Sequence, residues 1–108
     1  MTTFDEREKA FEKKFAMDQD LKFRAESRRN KMIAEWAAAK LGLTGSDVED
    51  YIKAVRRADL QEKGDEDVFR KIRADFDAKG VPVSDAEIRD AMFKFLSEAV
   101  TQIQKEPK

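Results

Sequence analysis

Apolar residues recur along most of this chain at the three- and four-residue spacing of an α-helix. The clearest runs are Val48, Tyr51, Ile52 and Val55, and Ile88, Ala91, Met92 and Phe95, the second continuing through Leu96, Ala99 and Ile103. Further runs are Val68, Phe69, Ile72 and Phe76, and Leu21, Ala25, Met32 and Trp36. No stretch alternates between apolar and polar residues, as a half-buried β-strand does. The pattern therefore predicts an all-α protein.

Glycines and capping motifs divide this pattern into helices. Gly42, Gly64 and Gly80 each follow a periodic run, where a left-handed C-terminal cap favours glycine. Residues 46–49 and 84–87 fit the S-x-x-E capping box that begins a helix. We therefore expect one four-helix bundle over residues 20–108, with helices near 20–41, 46–63, 66–79 and 85–105.

The first 19 residues do not fit this scheme. Phe4, Phe11 and Phe15 fall in one narrow sector of a helical wheel, and nearly all their neighbours are charged. Such a strip is too narrow for a helix that docks fully on a core, and short isolated helices are marginal in water. We therefore expect residues 1–19 to form a mobile or partly helical N-terminal segment.

The phenylalanine strip has two interpretations. It could pack on the outside of the bundle, or it could supply aromatic anchors to the groove of a partner protein. Phe93 and Val100 share a second face of the last predicted helix. This secondary seam could receive the N-terminal segment in a resting state, or a second surface of the partner.

The amino-acid composition excludes several classes of binding and catalytic site. Lys and Arg number 22 against 23 Asp and Glu, so the net charge of -1 creates no global field for nucleic acid or anionic lipid. The chain has neither cysteine nor histidine, which excludes disulfides, thiolate nucleophiles, Cys/His zinc sites and histidine acid–base chemistry. We expect no metal, no cofactor and no enzymatic activity.

Two basic clusters stand out from the mixed charges. The stronger contains Arg28, Arg29 and Lys31, and Arg56-Arg57 is the second. A solvated helix face explains such clusters in most proteins. Weak contact with an anion or an adenine nucleotide through Arg28, Arg29 and Lys31 is the alternative, whereas nucleic-acid binding is disfavoured because acidic residues are interspersed.

Nothing in the sequence indicates a membrane or an export signal. No window approaches the ~20 apolar residues of a membrane-spanning helix. The first residues are acidic and basic in mixture, whereas a signal peptide is basic and then apolar. We expect a soluble, cytoplasmic protein that is a monomer when free.

Three long stretches carry a resemblance to a known family: MTTFDEREKAFEKKFAMDQDLKFRAESRRNKMIAEWAAAKLGL, DVEDYIKAVRRADLQEKGDEDVFRKIRADF and VSDAEIRDAMFKFLSEA. Together they resemble the ζ subunit of alphaproteobacteria, a small inhibitor of the F-type ATP synthase. The resemblance covers essentially the whole chain.

The resemblance implies a bundle that anchors an inhibitory N-terminal segment. That segment would insert at a catalytic α/β interface near γ and block rotation in the ATP-hydrolysing direction, with the protein held at the inner membrane only through the synthase. From the helical wheel we choose as contacts Phe4, Arg7, Phe11, Lys14 and Phe15. Two alternatives remain open: a generic helical adaptor for another cytoplasmic protein, and a weak nucleotide- or nucleic-acid-binding module.

Overall fold

The computed structural model of the chain describes residues 19–59 and 66–106. Within these ranges the chain forms four helices and no strand: α1 (Gln19–Leu41), α2 (Ser46–Asp59), α3 (Glu66–Lys79) and α4 (Asp85–Lys105). The predicted all-α, four-helix fold is therefore confirmed. The proposed separation of residues 1–19 from the bundle stays a prediction, because 18 of those residues lie outside the described ranges.

The ends of α1 and α3 show why glycine stands where it does. At the end of α1 the N–H groups of Gly42 and Leu43 donate to the carbonyl oxygens of Ala39 (3.2 Å) and Ala38 (2.9 Å). Gly42 has a φ of 78°, which the left-handed turn requires and which L side chains disfavour. This pair of bonds is a Schellman motif. The same pair recurs after α3, around Gly80 with a φ of 68°.

The turn between α3 and α4 is fastened by side chains. Ser84 Oγ accepts a hydrogen bond from the Glu87 N–H at 3.1 Å, and a Glu87 carboxylate oxygen accepts one from the Ser84 N–H at 3.4 Å. The capping box predicted at residues 84–87 is therefore present. Arg73 of α3 also reaches across the turn, donating to the Val83 carbonyl (2.7 Å) and to Asp85 (2.9 Å).

The main core lies where α1, α2 and α3 meet the first half of α4. Its buried members are Ile33, Ala34, Ala37, Ala38, Tyr51, Ile52, Val55, Val68, Ile72, Phe76, Val83, Ile88 and Met92. Phe76 is 0% exposed and meets the half-buried ring of Trp36 edge-on, with ring centroids 5.8 Å apart. Burial of this apolar surface is the main force that holds the helices together.

A second, smaller core joins α1 to the second half of α4. Its buried members are Ala25, Leu96, Ala99, Val100 and Ile103, with Leu21, Met32 and Phe93 packed against them. The small side chains of Ala25 and Ala99 contribute little bulk, which suits a close approach of the two helices. Val100 is 0% exposed. Of the predicted secondary seam, Val100 is thus part of this core and Phe93 lies half-buried beside it. Docking of the N-terminal segment or of a partner at this seam stays a prediction.

Candidate functional site

The residues predicted to contact a partner precede the first described helix. Phe4, Arg7, Phe11, Lys14 and Phe15 all lie outside the described residues. Their role stays a prediction. The structure describes the first turns of α1, which follow them in the chain.

The beginning of α1 is held to the end of α4 by apolar and charged contacts. Leu21 packs against the smaller core. Arg24 pairs with Asp20 within α1 (3.9 Å) and with Glu106 just beyond α4 (3.8 Å). These contacts hold the first turns of α1 against the end of α4.

Arg28, a predicted anion contact, also pairs with Glu106, so that Arg24, Arg28 and Glu106 form a clamp between the start of α1 and the end of α4. Its guanidinium donates to a Glu106 carboxylate oxygen at 2.5 Å and to the Gln102 side-chain oxygen at 3.5 Å. The hydrogen bond from Arg28 lowers the pKa of the Glu106 carboxyl below its usual value. Arg28 therefore has a fixed intramolecular partner in this structure.

Arg29 lies inside the protein and not on its surface, in contrast to the predicted solvated face. Its side chain is 0% exposed, and its Nε donates to the Asn30 side-chain oxygen at 3.0 Å. The Asn30 amide in turn donates to Asp59 at the end of α2, at 2.8 Å. A buried charge requires such polar partners. The interpretation of the whole cluster as a solvated face was wrong for Arg29.

The sequence did contain a signal for this burial. Arg29 stands four residues after Ala25 and four before Ile33, both of which are buried. Residues four apart lie on the same face of a helix. An apolar periodicity that is extended to every residue type therefore places Arg29 on the buried face of α1.

The three predicted anion contacts thus occupy different environments. Arg28 is paired with Glu106, Arg29 is buried and Lys31 is exposed on α1. They do not form one continuous cationic face. Weak nucleotide contact at these residues stays a prediction.

The structure also reveals a groove between α1 and the end of α2, of about 360 Å³. It is lined by Phe23, Glu26, Ser27 and Asn30 from α1 and by Lys53, Arg56, Arg57 and Asp59 from α2. Arg56-Arg57, the second basic cluster of the sequence, thus lies across the groove from Phe23. That juxtaposition depends on how the two helices cross, which no local pattern encodes.

The acidic residues at the start of α3 have structural partners. Both carboxylate oxygens of Glu66 accept hydrogen bonds from Arg89, at 2.7 and 3.0 Å, and Asp67 accepts one from the Val68 N–H at 3.0 Å. Over residues 19–59 and 66–106, no group of three or more acidic side chains is placed to hold a metal ion. None of the helices over those ranges has the length and apolarity needed to cross a membrane.

Comparison with known proteins decides the family. The sequence pattern of the family described as ATPase inhibitor subunit zeta matches residues 1–102. This chain belongs to that family. The match includes the whole N-terminal segment, the first three helices and all but the last three residues of α4. Membership of the zeta family supports a role as an inhibitor of the ATP synthase.

A solved structure supports the fold. A protein determined by solution NMR is 37% identical in sequence and covers 81% of this zeta-family chain and 99% of its own, with a TM-score of 0.69. Identity and TM-score at these levels are those of a homologue with the same fold. A search of curated proteins found no significant match.

Proposed function

We propose that this protein inhibits ATP hydrolysis by inserting residues 1–19 at a catalytic α/β interface of the F-type ATP synthase, near γ. The observation that carries the proposal is the zeta-family match, which begins at residue 1 and so includes the segment. The partners are the α, β and γ subunits. The protein has no catalytic residues of its own and stays on the cytoplasmic side, held at the inner membrane only through the enzyme.

The energetics favour a segment that orders when it binds. Folding on binding costs about 2–5 kcal/mol or more. Burying one phenylalanine contributes about 1.5–3 kcal/mol, so burying Phe4, Phe11 and Phe15 offsets the ordering cost with a modest surplus. The charged residues around them, including Arg7 and Lys14, would lie at the rim of the contact. A small surplus implies that the bundle adds contacts of its own.

Directional inhibition follows if the segment fits only one shape of the interface. The cleft between catalytic subunits changes shape as γ turns, and a ligand shifts such an equilibrium only by its difference in affinity between the states. A wedge that fits one rotational state resists the next hydrolytic step. Synthesis turns the rotor in the opposite sense, so we expect the wedge to affect it much less.

The bundle serves as the anchor in this proposal. The clamp between the start of α1 and the end of α4, formed by Arg24, Arg28 and Glu106, supports that role because it joins the segment to a fixed base. A fixed base reduces the freedom that the segment loses on binding.

A pair of alanine variants tests the proposal. Phe11→Ala removes a predicted anchor, whereas Lys13→Ala changes a neighbour on the opposite side of the helical wheel. We expect Phe11→Ala to raise the concentration needed for half-inhibition of ATP hydrolysis at least tenfold, because about 2 kcal/mol of burial is lost. Lys13→Ala should change it little. Equal potency of the two variants and the wild-type protein would show that the phenylalanine strip is not the contact.

A further inference from the structure

Phe23 stands exposed at one wall of the groove between α1 and α2. Its side chain is 72% exposed, and it is the large apolar residue left open to solvent among those the structure describes. A single exposed apolar residue is common in soluble proteins and requires no partner by itself. Phe23 differs from such a residue because it lines a groove together with several cationic side chains.

The opposite wall presents arginines that have no hydrogen-bond or ion-pair partner among the residues that the structure describes. Among the arginines that the structure describes, only Arg56 and Arg57 form neither a hydrogen bond nor an ion pair. The others are all engaged: Arg24, Arg28, Arg29, Arg70, Arg73 and Arg89. Lys53 lies on the same wall, is exposed, and likewise has no partner among the described residues.

The carboxylates of the groove are already in use. Asp59 accepts a hydrogen bond from Asn30 at 2.8 Å, and Glu26 has an interaction of its own within the chain. The groove therefore offers three cations to an outside ligand while its acids are turned to internal contacts. The Asn30–Asp59 bond also joins α1 to α2 at its floor, so the two walls are fixed relative to each other.

Arginine beside an aromatic ring is the composition of a protein-binding hot spot. Tyrosine, tryptophan and arginine dominate measured hot spots, and a ring supplies apolar contact at low entropic cost. A guanidinium fork fits a carboxylate through two parallel hydrogen bonds. The charge of the groove therefore selects an acidic partner, and Phe23 selects one that also presents an apolar side chain.

We propose that this groove docks a carboxylate-bearing segment of the ATP synthase, whose apolar side chain packs on Phe23 while its acids pair with Arg56 and Arg57. This inference rests on the proposed function, since it takes the synthase as the partner. It supplies the second contact that the modest energetics of the N-terminal segment require. The groove and the segment are then two separate points of attachment.

Binding of the full-length chain to immobilised, purified ATP synthase tests the inference. Arg56→Gln/Arg57→Gln removes two positive charges from the last turn of α2. The matched control, Lys79→Gln/Lys105→Gln, removes two positive charges from the last turns of α3 and α4, away from the groove. Phe23→Gln removes the ring and keeps a residue that favours helix. Circular dichroism and thermal unfolding confirm that each variant is folded.

We expect both groove variants to bind the synthase about tenfold more weakly, and the control within about twofold of wild type. The wild-type affinity should also fall more steeply with salt than that of the double arginine variant, because the lost contacts are ionic. Wild-type affinity in both groove variants would overturn the inference. So would a groove variant that changes only self-association, since a second copy would then be the occupant.

The same experiment separates this inference from the proposed function. If wild-type protein binds and inhibits while the groove variants match it, the proposed function stands and the groove has no part in it. If wild-type protein neither binds the synthase nor inhibits hydrolysis, the proposed function fails, and the docking partner named here fails with it.

Discussion

Removing the Phe76 ring should expose how much of the bundle's stability rests on its main core. Phe76 is 0% exposed and contacts Trp36 edge-on at a centroid distance of 5.8 Å. Phe→Ala changes at fully buried sites cost about 3–5 kcal/mol, because apolar burial is lost and a cavity remains. The lost aromatic pair accounts for about 0.5–1.5 kcal/mol of that.

This cost is a large fraction of the whole. A domain of this size has a free energy of unfolding of about 5–15 kcal/mol. With a urea m-value of about 2 kcal/mol per molar, a loss of about 4 kcal/mol moves the unfolding midpoint down by about 2 M. Urea unfolding of Phe76→Ala, followed by circular dichroism, measures that shift directly.

Phe69→Ala is the matched control, because it makes the same chemical change about two turns earlier on the same helix, at a less buried position. Phe69 is only half-buried and has Arg89 over its ring at 3.9 Å. Its loss should cost about half as much as the loss of Phe76, or less. If the two variants unfold at the same urea concentration, the assignment of Phe76 to the centre of the core is wrong.

Three further predictions concern single groups. Burial and the hydrogen bond to Asp75 raise the pKa of Tyr51, which is the one tyrosine of the chain. Below pH ~10 the phenol is neutral in both the folded and the unfolded chain, so its full contribution to stability is present. Above pH ~10 the unfolded chain ionises first, and the free energy of unfolding therefore falls as the pH rises. Ultraviolet absorbance should show tyrosinate appearing together with alkaline unfolding, and its appearance in still-folded protein near pH 10 would contradict this. Gly80→Ala should lower the free energy of unfolding by about 1–2 kcal/mol, since φ is 68° and nothing crowds the added carbon; an unchanged thermal midpoint would argue against the left-handed cap. Ser84→Ala should cost about 1 kcal/mol by loss of the capping hydrogen bond, measured in the same way.

The sequence allowed the helices to be placed closely because their ends are encoded locally. A left-handed turn needs glycine at residues 42 and 80, and a capping box needs a hydroxyl and a carboxylate three residues apart, as at residues 84 and 87. The apolar periodicity then identified which face of each helix is buried. Ile72, Phe76, Ile88 and Met92 all lie in the core as their spacing predicts.

The groove could not be predicted from the sequence, because its lining depends on how α1 and α2 cross. The groove joins Phe23 on α1 to Arg56 and Arg57 on α2, residues more than thirty positions apart, and no local rule brings them together. The predicted exposure of Arg29 was wrong for a different reason. Arginine is usually a surface residue, but this one lies on the buried face of α1. In the folded chain the Arg29 Nε donates to Asn30, whose amide donates to Asp59, so part of the buried guanidinium has a polar partner.

The contribution of the first residues to inhibition can be measured in one assay. ATP hydrolysis by the purified synthase is followed with increasing amounts of the full-length chain and of a variant that lacks residues 1–19, after circular dichroism has established that the shortened chain is folded. The account predicts that full-length protein suppresses hydrolysis and that the shortened protein leaves it at the uninhibited rate. Full inhibition by the shortened, folded protein would contradict it.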